Sequence, residues 1–443
     1  MDTIKQSIIG ALNSAQCSKS LTFLPDELRY TSKGSELYEY IKMTPNYYLM
    51  RSEVDILTTC KNSIMDPNDF NNHTLIDLGA GYGDKARLLL PGLLAKNVKV
   101  RYLPIDVSLS ALVENIKCMQ TAFPQVEKEY LHATYEDGIV QALSKIKDES
   151  DDPNKSLITL LFAGSTIGNM KPGEDVAFIR SITQLIIDRA PEYKWRFLLG
   201  TDLAPDSKYK TVDQAVKAYE NDSSGYRDAF MSEIIPNLNE MINADMSNED
   251  WDRHVEWNSE ESAVHQILVC NKSVKVNIDG SVPLEFPVGS KIGISRHIKY
   301  SEDDLAALAI GAGLYLSKVW KSCNKYFAFA EMKPGCQPDS FNATNTISLT
   351  DQWLNVVDIS ELCHPARLPS EWNIRSVAQQ LSVALEKIGL VTITGYQNLF
   401  PEEYLVKGRA DMIEFCKQPQ QYKDSFNKGK GFGKSYEFIS IFF

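Results

Sequence analysis

Residues 74–83 read TLIDLGAGYG, an apolar run followed by glycines at positions 79, 81 and 83. The aliphatic residues over Thr74–Leu78 predict a short buried strand, and a helix is predicted from about Asp84. Glycine lets the backbone turn sharply and approach a ligand closely. The N-terminus of the helix behind the turn favours a polar or anionic group. This stretch therefore predicts a strand, a ligand-binding turn and a helix.

Further strands follow in an alternating pattern. The sequence predicts strands over Val98–Ile105, Leu157–Phe162 and Trp195–Leu199, separated by helices, one of which Ser108 would cap. Strands that alternate with helices predict a parallel, doubly wound sheet, so the fold class is α/β. The strand-like runs within residues 316–332 predict a hairpin that closes this sheet at its edge.

The predicted ligand site lies at the carboxyl ends of the first two strands. Asp106 ends the second strand, where its carboxylate can accept hydrogen bonds from both ribose hydroxyls of an adenosine. A dinucleotide-binding fingerprint requires GxGxxG, but Asp84 takes the place of its third glycine. The form DLGxGxG, residues 77–83, instead resembles the first motif of class I methyltransferases.

Bulk composition limits the function classes. The 443 residues suggest two or three domains, and a net charge of −12 argues against nucleic acid as a partner. The eight cysteines form no CxxC pair, so neither a disulfide framework nor a metal site is predicted. No leader-like segment or membrane span of about 20 apolar residues is visible. We therefore expect no membrane association and a reducing, cytoplasmic location.

Segments around this core are more specific. Residues 30–57 read YTSKGSELYEYIKMTPNYYLMRSEVDIL, residues 162–169 read FAGSTIGN, and the motifs GTDL and WNS follow at 200–203 and 257–259. Over about residues 20–332 the chain closely resembles the histidine-specific Nα-methyltransferase family of ergothioneine biosynthesis. Fungal relatives of that family methylate a prenylated tryptophan. The resemblance implies an S-adenosylmethionine (SAM)-dependent enzyme that methylates the α-amine of an amino acid.

The resemblance also implies roles for individual residues. The cofactor-contacting positions, with Gly81 added from the same turn, are Gly79, Gly81, Lys85, Asp106 and Tyr135. The family's adenine-side acid is replaced by Thr134, which leaves the adenine contacts open. The positions that hold the substrate's amine and carboxylate or line its pocket are Tyr30, Tyr47, Gly164, Asn169 and Tyr219. Of these, Tyr47, Asn169 and Tyr219 are expected to be the catalytic residues, which orient the amine and the carboxylate.

One departure concerns the side-chain pocket. In the histidine-specific enzymes a Glu and a Ser, two residues apart, recognise the imidazole. In the matching segment GISRH, residues 293–297, Ser295 is kept and Gly293 replaces the Glu, while Gln266 takes the place of a pocket Met. Glycine supplies no acceptor and leaves space, and a lost hydrogen bond to a charged group costs about 1.5–3 kcal/mol. We therefore predict that a tryptophan or tyrosine derivative is preferred over histidine.

Three alternatives stay open. Histidine itself is the first, since the family is named for it. A protein that binds a nucleotide without turnover is the second, because Thr134 and Gly293 replace acidic family residues. A metal site built on His265 and His297 is the third, although pocket-lining or surface histidines are the simpler interpretation.

The predicted domain organisation is a Rossmann-like sheet with an inserted α+β substrate-binding lid domain and a small α/β C-terminal fragment. Its parts are 1–60 (helical part of the substrate domain), 61–204 (SAM-binding core), 205–295 (substrate-domain insertion, with a hairpin over Val264–Ile278), 296–333 (closing strands), 334–352 (linker) and 353–443 (C-terminal fragment).

The C-terminal fragment is similar to the N-terminal region of isopenicillin-N-synthase-like iron and 2-oxoglutarate oxygenases. The similarity rests on residues 356–360 and on 386–395, EKIGLVTITG, where a strand is predicted over Leu390–Thr394 between helices 374–388 and 401–416. Such iron sites require two histidines and a carboxylate, but no histidine follows His364. We expect either a remnant of a fusion enzyme or a module that docks an oxygenase partner.

Overall fold

The computed structural model describes residues 2–16, 21–29, 31–66, 70–95, 98–147, 152–278, 282–335, 355–358 and 391–394. The chain divides into two compact units, residues 1–337 and 338–443. Among the described residues no helix combines the length and the apolar character needed to cross a membrane.

Helices and strands alternate through most of the first unit. The helices are α1 (Asp2–Gln16), α2 (Ser32–Lys42), α3 (Tyr48–Thr59), α4 (Lys61–Ile64), α5 (Asp84–Leu94), α6 (Leu109–Ala122), α7 (Tyr135–Lys147), α8 (Glu174–Arg189), α9 (Val212–Lys217), α10 (Tyr226–Ser232), α11 (Ile234–Ile242) and α12 (Glu302–Gly311). The strands are β1 (Asn72–Leu78), β2 (Lys99–Asp106), β3 (Glu127–Lys128), β4 (Leu131–His132), β5 (Ser156–Phe162), β6 (Lys194–Asp202), β7 (Trp251–Asn258), β8 (Ala263–Cys270), β9 (Val274–Val276), β10 (Leu284–Phe286), β11 (Lys291–Ile298), β12 (Leu314–Lys321) and β13 (Phe327–Pro334).

The main sheet confirms the predicted α/β class. Its strand order is β12-β13-β6-β5-β1-β2-β3, with β4 also paired to β2. The strands from β1 to β6 pair in parallel, while β13 runs antiparallel to both β6 and β12 and forms the predicted closing hairpin. Because β2 and β5 lie on opposite sides of β1, the loops that follow β1 and β5 diverge and open a crevice between them.

Helices cover both faces of this sheet. On one face α7, α8 and α12 bury side chains such as Ile139, Ile179 and Leu305. On the other face α3 and α5 bury Ile56 and Leu89. A doubly wound sheet buried on both faces needs strands that are apolar along their whole length, and β5 is buried at every position.

A second core lies beside the sheet. It is built from helices α1, α2 and α9–α11, from a three-stranded sheet in the order β11-β8-β7, and from the β9–β10 pair. The predicted hairpin over Val264–Ile278 is wrong: β8 ends at Cys270 and pairs with β7 and β11, and β9 pairs with β10 instead. A polar turn at residues 271–273 separates the two runs, so their partners are chosen by tertiary packing.

Two observations concern the predicted domain boundaries. Strand β11 crosses the expected division between 205–295 and 296–333. The N-terminal helices divide between two cores, because α1 packs in the second core through Ile8 whereas the second half of α3 packs on the main sheet through Ile56 and Leu57. The domain organisation itself stays a prediction.

In the second unit, β14 (Asn355–Asp358) pairs in parallel with β15 (Val391–Thr394). Strand β15 confirms the strand expected over Leu390–Thr394. The helices predicted over 374–388 and 401–416 lie outside the described residues.

Candidate active site

The glycine-rich turn between β1 and α5 requires its glycines. Gly79, Gly81 and Gly83 all have left-handed backbone conformations, with φ of 69°, 51° and 75°. A Cβ on Gly83 would lie 2.3 Å from the Asn115 side-chain oxygen, so no larger residue fits there. The turn thus brings bare backbone to the carboxyl edge of the sheet, as the sequence predicts.

Asp106 lies opposite this turn at the end of β2. Its Oδ2 accepts a hydrogen bond from the Gly81 amide at 2.9 Å, and its Oδ1 accepts one from the Ser108 amide at 2.8 Å. Ser108 also caps α6 as predicted, since its hydroxyl accepts the Ala111 amide. The carboxylate is therefore fixed in place but stays partly exposed, which leaves oxygen lone pairs free for a ligand's hydroxyl groups.

A buried polar set supports the turn from below. The Tyr102 hydroxyl donates to Asp77 at 2.9 Å, and the Asn115 amide donates to both the Gly81 carbonyl and the Tyr102 hydroxyl. Burial raises the pKa of Asp77 to about 6. These contacts support the backbone of the turn from within the chain.

Tyr135 lies above the same turn at the start of α7. Its hydroxyl is 3.2 Å from where a Cβ on Gly79 would lie, and its ring packs edge-on against Phe162 at 5.7 Å. Burial raises the pKa of Tyr135 to about 12, so its hydroxyl stays protonated. Thr134 is exposed, and its hydroxyl accepts the Asp137 amide in the first turn of α7, which gives this threonine a helix-capping role.

Lys85 on α5 connects the glycine-rich turn to the loop after β5. Its ammonium lies 3.8 Å from the Glu53 carboxylate and 3.2 Å from where a Cβ on Gly164 would lie. Glu53, which is buried on α3, also accepts the Gly164 amide at 2.6 Å. Burial disfavours the charge on Lys85, but Glu53 and other acidic groups outweigh it and raise the lysine pKa. The cation is therefore held beside both loops.

The loop after β5 delivers Asn169 to the same edge of the sheet. Gly164 and Ser165 both have positive φ, 78° and 58°, and a short 3-10 turn over Thr166–Asn169 follows. The Asn169 side-chain oxygen accepts a hydrogen bond from Nδ1 of His297 at 2.9 Å. Leu78 and Phe162, the last residues of β1 and β5, are paired in register, so the loops that carry Gly79 and Asn169 start side by side.

Aromatic rings form the next layer of the site. Tyr47 and Tyr219 are buried and pack edge-on at 6.2 Å, and the guanidinium of Arg227 lies 5.4 Å from both ring centres. The Tyr47 hydroxyl hydrogen bonds with that of Tyr38 at 3.0 Å. Tyr219 in turn stacks on His297 at 4.2 Å, which connects the tyrosines to Asn169. Tyr30, predicted to line the same pocket, lies outside the described residues.

His297 is the centre of this cluster, whereas the sequence suggests it only as a pocket-lining or surface residue or as a candidate metal ligand. Nε2 of His297 lies 3.0 Å from the Ser295 hydroxyl and 3.0 Å from the Gln266 amide nitrogen. Because the Asn169 oxygen can only accept, Nδ1 must carry the proton and Nε2 must accept. Desolvation lowers the pKa of His297 well below its ordinary value, so the ring is neutral. Tyr47, Tyr219 and Asn169 form what we call the cage, and the chain's own imidazole fills part of it.

Gly293 does not belong to this cluster. A β-bulge between Gly293 and Ser295 shifts the register of β11, so that Ser295 pairs with Gln266 while Gly293 pairs with Ile267. A Cβ on Gly293 would point into the ring of Phe23 at 2.6 Å. The space expected from the missing Glu is therefore occupied, and the two alternate residues that face the cage are Ser295 and His297.

A buried ion cluster borders the tyrosines. Asp202, at the end of β6, accepts hydrogen bonds from Lys210 at 2.7 Å and from Lys299 at 2.8 Å, and all three side chains are at most 1% exposed. Burial alone would raise the pKa of Asp202, but the two lysines lower it. Lys299 also donates to the Tyr219 hydroxyl at 2.8 Å. Of these three residues, the sequence analysis singles out only Asp202, as part of the GTDL motif.

These features define the class of the protein. A doubly wound sheet in this strand order, with a glycine-rich turn after β1 and a carboxylate at the end of β2, is the fold of a class I, SAM-dependent methyltransferase. The family model of histidine-specific, SAM-dependent methyltransferases matches residues 4–334. The chain belongs to that family: it is a SAM-dependent N-methyltransferase, and its cofactor is SAM.

The similarity to two curated relatives extends over nearly the whole length of each relative. A histidine N-alpha-methyltransferase from Mycolicibacterium smegmatis is 26% identical over 320 residues, which cover 72% of this chain and 91% of the relative. The 4-dimethylallyltryptophan N-methyltransferase easF from Aspergillus fumigatus is 26% identical over 328 residues, which cover 71% of this chain and 91% of that protein. The two relatives are named for different amino acids at the same identity, so similarity alone does not identify the substrate.

Proposed function

We propose that the protein methylates the α-amine of an amino acid, and that an aromatic amino acid such as a tryptophan or tyrosine derivative is preferred over histidine. The observation that carries the proposal is the position of Asn169, Tyr219 and Tyr47. Asn169 ends the loop after β5, which starts beside the turn after β1 that would bind the cofactor. Tyr219 is connected to Asn169 through His297, and Tyr47 packs against Tyr219.

The residues around the turn fit the cofactor. Asp106 would accept the ribose hydroxyls, the backbone at Gly79 and Gly81 would lie against the methionine part, and Lys85 would neutralise its carboxylate. Tyr135 would border the adenine, without a partner acid because Thr134 caps α7. When bound, SAM would supply a methyl group on a positively charged sulfur: an amine nitrogen could attack the methyl carbon in line, and the sulfur would leave as a neutral thioether.

The chain's task is to present a neutral amine to that methyl group. Asn169 and the hydroxyls of Tyr47 and Tyr219 would orient the substrate, which supplies most of the advantage in a displacement without a covalent intermediate. A strong base is not required, because nearby positive charge already favours loss of the ammonium proton. Arg227 provides that charge beside the rings of Tyr47 and Tyr219.

The contacts of His297 argue against histidine as the best substrate. Both nitrogens of its ring are engaged, and the acceptors that a substrate imidazole would need are used within the chain. Among the described residues, no carboxylate hydrogen bonds with His297, Ser295 or Gln266. The rings of Tyr47, Tyr219 and His297 instead offer aromatic surface, which suits an aromatic side chain.

A competition assay with histidine, tryptophan and tyrosine tests the proposal. We expect tryptophan or tyrosine to have a higher kcat/KM than histidine. We also expect His297→Ser to raise the histidine-to-tryptophan ratio of kcat/KM about tenfold or more, because it frees the Asn169 and Gln266 contacts and an imidazole-sized space.

His265→Ser provides a matched control. His265 precedes Gln266 on β8, points to the opposite face of the sheet and contacts Glu261 and Phe23. Its removal should leave the ratio unchanged. A wild-type enzyme with its highest kcat/KM for histidine would overturn the preference, and methylation of no amino acid would overturn the proposed function.

A further inference from the structure

The ion cluster behind Tyr219 carries more positive than negative charge. The ammonium groups of Lys210 and Lys299 share the single carboxylate of Asp202, and all three groups are inaccessible to solvent. Two cations on one anion leave a formal charge of about +1 in a site where charge is costly to bury. Burial lowers the pKa of Lys299, which reflects this cost. An anion bound nearby would balance the excess.

The hydroxyl of Tyr219 connects this cluster to the cage. Lys299 donates to it at 2.8 Å, so the tyrosine oxygen acts as an acceptor on that side. Its own proton must then point elsewhere, and the structure gives it no acceptor among the described residues. The ring of Tyr219 stacks on His297, which donates a hydrogen bond to Asn169. The hydroxyl can therefore donate its proton on a side away from Lys299, and the tyrosine ring lies against the His297 that contacts Asn169.

We propose that Lys299 is a specificity-determining positioning residue that makes the enzyme select substrates with an α-carboxylate. It acts through Tyr219, whose hydroxyl it fixes as a donor to that carboxylate, and the excess charge of the cluster is balanced when the carboxylate binds. The inference rests on the proposed function and extends it: amino acids are methylated, and the matching amines, which lack the carboxylate, are poor substrates.

The test compares an amino acid with its decarboxylated amine, for example tryptophan with tryptamine. For the wild-type enzyme we expect kcat/KM to favour the amino acid by about a hundredfold. In Lys299→Met the value for the amino acid should fall about tenfold to a hundredfold, mainly through KM, which is the range expected for one lost hydrogen bond to a charged group. The value for the amine should change little, so the ratio collapses.

Lys210→Met is the matched control. Lys210 is equally buried and bonds the same Asp202, but its other contacts are the Tyr48 hydroxyl and the Tyr326 carbonyl rather than Tyr219. It removes the same charge, and its discrimination ratio should stay well above that of Lys299→Met. Calorimetric affinity for SAM reports whether each variant is folded. Tyr219→Phe, which keeps the ring and removes the hydroxyl, repeats the test if Lys299→Met does not fold.

The outcomes separate the two claims. A wild-type ratio near one, or a ratio that both Lys299→Met and Tyr219→Phe leave unchanged, overturns the role of Lys299 alone. An equal collapse in Lys210→Met also overturns it, because the effect would then belong to the cluster's charge. A wild-type enzyme that methylates neither compound overturns the proposed function together with this inference.

Discussion

Asp106→Ala is expected to weaken SAM binding at least about a hundredfold. The carboxylate would accept two ribose hydroxyls, and charge-assisted hydrogen bonds contribute about 1.5–3 kcal/mol each. It also holds the turn through the Gly81 amide at 2.9 Å, so its loss loosens the backbone that contacts the cofactor. Titration calorimetry of the full chain with SAM measures the effect.

Asp84→Ala is the control for this prediction. Asp84 begins α5, carries the same charge and lies next to the same turn, but its side chain is 38% exposed and paired with Arg87. Its loss should change the SAM affinity no more than about threefold, since exposed ion pairs contribute about 0–1 kcal/mol. Equal effects of the two substitutions would contradict the ribose-binding role of Asp106.

Asn169→Ala is expected to lower kcat about a hundredfold or more while the affinity for SAM stays within about threefold. Asn169 lies at the end of the loop after β5 and not in the glycine-rich turn, so it would orient the amine without holding the cofactor. A misplaced nucleophile loses the advantage of alignment, and a shift of about 1 Å can cost a hundredfold in rate. Single-turnover kinetics at saturating substrate measures the chemical step directly.

Asn258→Ala separates this effect from a general loss of stability. Asn258 is half-buried at the end of β7 and accepts the Glu261 amide at 2.9 Å, so its replacement also removes a side-chain hydrogen bond. We expect it to lower the melting temperature without lowering kcat. Asn169→Ala also leaves Nδ1–H of His297 without its acceptor, so its melting temperature should fall as well. An unchanged kcat in Asn169→Ala would exclude Asn169 from the reaction.

The sequence predicts the main sheet well because its strands are continuous apolar runs bounded by turn residues. Strand β5 and the turn at Gly79 are examples in which local pattern and tertiary role agree. The strand pairing within residues 251–298 is not predicted from the sequence, because β8 and β9 pair with different strands and these partners depend on tertiary packing. The pairing of Asp202 with Lys210 and Lys299 likewise comes from tertiary structure, because these residues are distant from one another or lie on different elements.

The error at Gly293 has a specific physical cause. Side chains alternate between the faces of a strand, so one extra residue reverses the face on which all later residues lie. The bulge before Ser295 does this in β11, and no feature of the sequence GISRH shows it. The resemblance places Ser295 and Gln266 in the pocket, and these two side chains do contact each other. The sequence suggests His297 only as a pocket-lining or surface residue or as a candidate metal ligand.

The product of the reaction is the most direct test of the proposed Nα-methylation. The protein is incubated with a pool of amino acids and with SAM that carries an isotopically labelled methyl group, and the products are analysed by mass spectrometry. We expect one, two or three labelled methyl groups on the α-nitrogen of an amino acid other than histidine. A pool without labelled amino acids, or a label found on a carboxylate or side chain, would contradict it.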